Sequence, residues 1–119
     1  MPRITDRYIQ DGDVITLVAP YALTPGDGCL VGSTFGVALG AAAISTPVEV
    51  AMEGVFDIAK TAGQTPAQGA LAYWDNTAKS VTTVSTSNSR IGSFTQAALA
   101  GDATCRVRLS GAPAVAGVA

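Results

Sequence analysis

A chain of 119 residues with 48% hydrophobic and 13% charged side chains holds one compact domain and is too apolar for intrinsic disorder. Aromatic residues are only 6%, so its core is expected to be built from small aliphatic groups. Seven scattered cations against nine carboxylates leave a net charge of −2 and no basic patch to displace counterions from phosphates, which excludes a nucleic-acid partner from the reading.

In chain order, the Asp11-Gly12 turn signal opens a β-branched run over 13–18, the first predicted strand. Thr24-Pro25-Gly26-Asp27-Gly28 is a turn, with proline's fixed φ at its second position and glycines free for positive φ. Strands over 29–31 and 34–39 follow, separated by Gly32-Ser33. Ala41-Ala-Ala43 favours helix but lies between Gly40 and Pro47, too confined to nucleate one. Residues 48–52 alternate, and after Glu53-Gly54 comes a strand over 55–59. A loop over 60–70 leads to a predicted hairpin, 70–74 with 79–84, around Asp75-Asn76. A polar loop over 85–89 precedes the last predicted strands, 91–95 and 104–109, which turn through Gly101-Asp102.

About nine strands at spacings of 8–12 residues, with no helical run between them, predict an all-β chain. The architecture is a single small β-sandwich, jelly-roll-like or barrel domain. Its expected divisions are an N-terminal arm over 1–9, a β-domain over 10–109 and a flexible, small-residue tail over 110–119. Residues 28–48 carry no charge and could match a bilayer in length. Ser33, Thr34, Ser45, Thr46 and Pro47 interrupt them, and no aromatic or basic belt flanks them, so soluble β structure without a membrane partner is expected. Gly36 and Gly40 would then let another backbone approach one strand face closely.

The chemistry is sparse. Histidine is absent, which removes Ser-His-Asp and Cys-His pairs and every His-ligated metal. Cys29 and Cys105 sit in apolar or alternating runs; buried thiols are favoured, and a disulfide stays open. Asp11-Gly12-Asp13 lacks the further oxygens of a calcium loop. Glu49, Glu53 and Asp57 are expected as solvent-facing carboxylates on two strands, without the cleft a paired-carboxylate hydrolase needs. No phosphate-cradling glycine loop or nucleophile elbow occurs. No catalytic, metal or cofactor-binding residue is therefore assigned, and no cofactor is expected. Arg106 and Arg108 share one strand face.

Tyr73 and Trp74 are the adjacent aromatics. In a strand they point to opposite faces unless the backbone bulges, so one ring is expected in the core and the other at an edge or interface. A sugar-stacking platform is the competing reading, which would make the chain a carbohydrate-binding or adhesin-type module. The arm offers Arg3, Arg7 and Tyr8 as partner-contact anchors. Met1-Pro-Arg-Ile-Thr-Asp6 runs into polar residues, so synthesis in the cytoplasm without export is expected.

A family resemblance rests on the order and spacing of several segments. These are Asp11-Gly-Asp-Val-Ile-Thr-Leu-Val-Ala-Pro20, Gly26-Asp27-Gly-Cys-Leu-Val-Gly-Ser-Thr-Phe-Gly-Val-Ala38 and Val48-Glu-Val-Ala-Met-Glu-Gly-Val-Phe56. Then come Gln68-Gly69-Ala-Leu-Ala-Tyr-Trp-Asp75, Lys79-Ser-Val-Thr-Thr83, Arg90-Ile-Gly92, Ala100-Gly-Asp102 and Arg106-Val-Arg-Leu109. Over 9–109 the chain resembles the small capsid cement (decoration) proteins of tailed phages and prophages. Gly69-Ala70 stands where the family usually has Gly-Asp. The resemblance implies a non-enzymatic virion protein, made in the host bacterial cytoplasm, that binds the outer surface of the shell and stabilises it. Its implied partner is the major capsid protein. Association with itself is also expected, a homodimer favoured and a trimer possible at local threefold positions.

Overall fold

The computed structural model describes residues 12–116. Ten strands follow one another: β1 (Val14–Val18), β2 (Gly28–Val31), β3 (Thr34–Ala38), β4 (Pro47–Ala51), β5 (Glu53–Ala59), β6 (Leu71–Asp75), β7 (Ser80–Thr82), β8 (Ser89–Phe94), β9 (Thr104–Ser110) and β10 (Val115–Ala116). No helix occurs among the described residues. Period-two patterning drives the strands and is clearest in β9, where Cys105, Val107 and Leu109 are buried while Thr104, Arg106, Arg108 and Ser110 face out.

Two antiparallel sheets result. One has four strands in the order β1-β4-β3-β2. The other runs β5-β9-β8-β6-β7, with β10 pairing against β8 beyond the end of β9. Among the described residues its edges are joined by one bridge, Lys60 to Val81, with Thr61 hydrogen-bonded to Val81 and Ser80 beside it, so the sheet curls without closing into a barrel. The result is a small β-sandwich.

Leu30, Phe35 and Val37 point from β2 and β3 into the six-stranded sheet, where they join Trp74, Ile58, Phe94, Val81 and Val107. Cys29, Ala38, Val48 and Val50 point the other way and are covered by Ala19, Tyr21 and Leu23. Two glycines allow this double packing. A Cβ on Gly28 would stand 2.5 Å from the Trp74 ring, and one on Gly36 would stand 2.7 Å from the Ala51 carbonyl oxygen. The close approach expected at Gly40 is absent; a Cβ there meets open space.

Two other expectations change. The hairpin strand predicted over 79–84 shrinks to Ser80–Thr82 because side chains take over the backbone donors. Thr83 N–H donates to Gln64 Oε1 and Val84 N–H to Thr82 Oγ1, at 2.9 and 3.1 Å. The tail read as flexible over 110–119 begins inside β9, and Ala114 N–H donates to the Ser33 carbonyl at 2.6 Å. Ala114 is buried, and β10 then pairs with Ser89 and Arg90, so small residues here serve docking.

Candidate interaction surface

The adjacent aromatics separate as strand geometry requires. Trp74 is 2% exposed, its ring centroid is 5.1 Å from that of Phe35, and its indole N–H donates to Asn76 Oδ1. It fastens the two sheets together and offers no free ring face for a sugar or a partner. Tyr73 is half-buried on the opposite face, paired with Arg90 of β8 and Thr82 of β7. Arg3, Arg7 and Tyr8 lie outside the described residues.

Tyr73 belongs to a larger surface. The outer face of the six-stranded sheet carries Leu71 and Tyr73 from β6, Arg90 from β8, Arg106 and Arg108 from β9, and Val55 and Asp57 from β5. A shallow depression of about 310 Å³ lies between Leu71, Arg90 and Arg108. Leu71 and Val55 are 49% and 51% exposed. Arg106 grips Asp57, with Nε 3.0 Å from Oδ1, and its guanidinium holds that carboxyl below its ordinary range. Arg90 and Arg108 are exposed and make no ion pair with another described residue.

The arginine pair of β9 was legible in Arg-Val-Arg, but the place of Arg90 was not. Strict alternation puts Arg90 on the same face as Phe94, which is buried. The β6–β8 register shifts between Ala72 and Tyr73, whose partners are Gly92 and Arg90, so Ile91 has no opposite residue. That bulge lets Ile91 and Phe94 both enter the core and turns Arg90 outward. A glycine at position 92 fits the kink, since a Cβ there would sit 2.0 Å from the Arg108 carbonyl oxygen.

Other reactive groups are held in structural roles. Glu49, Glu53 and Asp57 are exposed on β4 and β5, as expected, and Glu49 accepts a hydrogen bond from Thr16. Cys29 and Cys105 are free buried thiols, with burial pushing Cys105 up to about 11, so neither is an activated thiolate. Tyr21 is also raised, to about 12, chiefly by burial, and its hydroxyl donates to the Gly28 carbonyl. No cluster of metal-ligating side chains occurs among the described residues.

A surface of shallow depressions and exposed apolar side chains suits adhesion to a large partner. The family model for phage cement proteins matches residues 9–109, which is nearly the whole β-body. The chain belongs to the phage cement protein family. Membership gives it a structural role on the phage capsid and implies a protein that is not an enzyme. No curated protein and no solved structure matches the chain.

Proposed function

We propose that this cement protein binds the outer surface of an assembled phage shell and stabilises it by bridging neighbouring major capsid protein subunits. The observation that carries the reading is the family match over 9–109, joined to a body that presents exposed apolar and cationic side chains on a rigid sheet. Many identical weak contacts on a repetitive shell add up through avidity, so no single deep pocket is required. The protein acts without catalysis or a cofactor, after synthesis in the host bacterial cytoplasm.

Contact is assigned first to the arm over 1–9, with Arg3, Arg7 and Tyr8 as anchors, because it precedes the edge strand β1. Tyr73 is the second contact, and Trp74 supports it from within by fixing β6 to the opposing sheet. Copies are expected to associate with one another, most simply as homodimers.

Cosedimentation with shells lacking the protein tests the reading. Saturable binding at fixed copy number, with shells that survive heating longer, supports it; no binding to mature shells removes it. Deleting residues 2–8 is expected to abolish occupancy and leave the β-type circular dichroism intact. Unchanged occupancy would sink the arm assignment alone.

A further inference from the structure

Charge is divided unevenly between the sheets. Residues 12–52 contain Asp13, Asp27 and Glu49 and no Lys or Arg, whereas residues 53–116 contain five cations against four carboxylates. Within the second group Lys60 is buried and Arg106 is taken by Asp57, which leaves Arg90 and Arg108 as guanidinium groups without an ion-pair partner among the described residues, beside exposed Leu71. The four-stranded sheet has a matching feature. An open groove of about 440 Å³ is lined by Leu39, Ala41 and Pro47, with Glu49 as its one charged lining residue. Hydrogen bonding from the Thr16 hydroxyl fixes that carboxylate in place. Leu39 is 47% exposed and Leu71 49%, so each depression offers apolar surface that a partner would cover.

We propose that the Arg90–Arg108 face of one copy docks on the Glu49 groove of a second copy of this chain. A guanidinium fork meets a carboxylate in two parallel hydrogen bonds, and the leucines beside them supply apolar contact. The chain itself provides the acidic complement, with a half that carries carboxylates alone. On β4 and β3, Glu49 lies on the same side of its sheet as Phe35 and Val37, which point toward the six-stranded sheet. Glu49 therefore looks toward the layer whose outer face bears the arginines. A two-fold axis between copies would make the contact twice, each arginine pair meeting the other copy's groove.

The test uses the full chain without shells, so its failure leaves the shell-binding reading standing. Sedimentation equilibrium is expected to show association that weakens as salt rises. The double variant Arg90→Glu/Arg108→Glu and the single variant Glu49→Arg should each associate about tenfold or more weakly than the parent chain. Mixing the two should restore association, because each keeps one native face and the reversed faces also match. Circular dichroism checks folding, and Arg90→Gln/Arg108→Gln, which keeps the polar stems, replaces the first variant if it fails to fold. A parent chain that stays monomeric at all salt and protein concentrations overturns the proposal. So does association unmoved by the reversals, or a mixture of variants that remains apart. Loss of shell occupancy in the arginine variants with self-association unchanged would also overturn it, by giving that face to the shell.

Discussion

The two sheets are built from strands of similar length, yet they hold together differently. The six-stranded sheet gathers the large side chains: Trp74, Phe94 and Ile58 come from its own strands, and Phe35 is inserted from across the interface. The second core, behind the four-stranded sheet, is made from Ala19, Cys29, Ala38, Val48 and Val50, with Leu23 and Met52 its larger buried members. A chain with 6% aromatic residues cannot fill both places: Phe35, Trp74 and Phe94 lie where the sheets meet, and the second core has only Tyr21 as a partly buried cover. Elsewhere small residues let backbones come close, as Gly36 does against the Ala51 carbonyl. Burial of large rings should therefore dominate stability at the junction, and fit should dominate behind the four-stranded sheet.

The sharpest way to break this contrast is a pair of truncations. Trp74→Ala removes the ring that packs on Gly28 and Phe35 and is expected to cost about 3–5 kcal/mol. That is a large part of the roughly 5–15 kcal/mol that holds a domain of this kind. Leu23→Ala removes a smaller aliphatic side chain from the second core and is expected to cost about 2–3 kcal/mol. Urea unfolding followed by circular dichroism measures both. Equal losses would show that the two cores are equivalent after all.

Fit is tested by adding atoms. Gly36→Ala puts a methyl group against a backbone oxygen that cannot swing away, and a loss of about 1–3 kcal/mol is expected. Gly40→Ala, four residues on in open space, should be close to neutral. Sequence periodicity treats these glycines alike, so the comparison separates position from composition.

That pair also marks where sequence stops being informative. Alternation and turn residues were enough to place the strands, because both are local: a run such as Thr104-Cys-Arg-Val-Arg-Leu109 specifies its inner and outer faces by itself. What depends on a partner strand was hidden. The bulge at Ile91 is a property of the β6–β8 register, so the outward turn of Arg90 could not be read from its neighbours. The β-branched residues run on past Thr82, yet Gln64, far back in the chain, accepts the Thr83 N–H and the Thr82 hydroxyl accepts that of Val84. The docking of Ala114 is a packing event among small side chains that carry no pattern. The surface is the least legible: Tyr73 stands out in the sequence for its ring, while Arg90 comes beside it, and Arg108 onto the same face, only through the sheet.

A smaller difference separates the lysines. Lys60 is 7% exposed, and its ammonium donates to the carbonyls of Thr61, Gln64 and Ala100 at 3.0, 2.8 and 3.5 Å. Lys60→Met keeps the stem but leaves those carbonyls without their donor, and a cost of about 2 kcal/mol is expected. Lys79 stands 4.1 Å over the exposed side of the Tyr21 ring, from the β6–β7 turn to the cover of the other core. Lys79→Met should cost only about 0.5–1 kcal/mol. Thermal unfolding of the two variants in parallel would reverse the assignment if Lys79→Met proved the more damaging.

The effects confined to one pH range appear under alkaline conditions, and they too divide between the two cores. Burial raises Tyr21 to about 12 in the cover of one core and Cys105 to about 11 inside the other, while Cys29 shifts in the same direction. A group raised by folding favours the native state while it stays protonated. Its contribution is complete below the ordinary value and disappears as pH rises through the folded one. Stability should thus begin to fall near pH 9, from the ordinary thiol value of 9.0, through Cys105. The fall should continue from pH 10 to about 12 through Tyr21, whose ionised oxygen can no longer donate to the Gly28 carbonyl. Urea midpoints for the parent chain, Cys105→Ala and Tyr21→Phe across pH 8 to 12 resolve the two steps. Cys105→Ala should shrink the earlier one, leaving the part that Cys29 contributes, and Tyr21→Phe should remove the later. If Tyr21→Phe leaves the whole alkaline decline in place, the tyrosine does not tie the outer cover to its sheet, and that core is held by its small side chains alone.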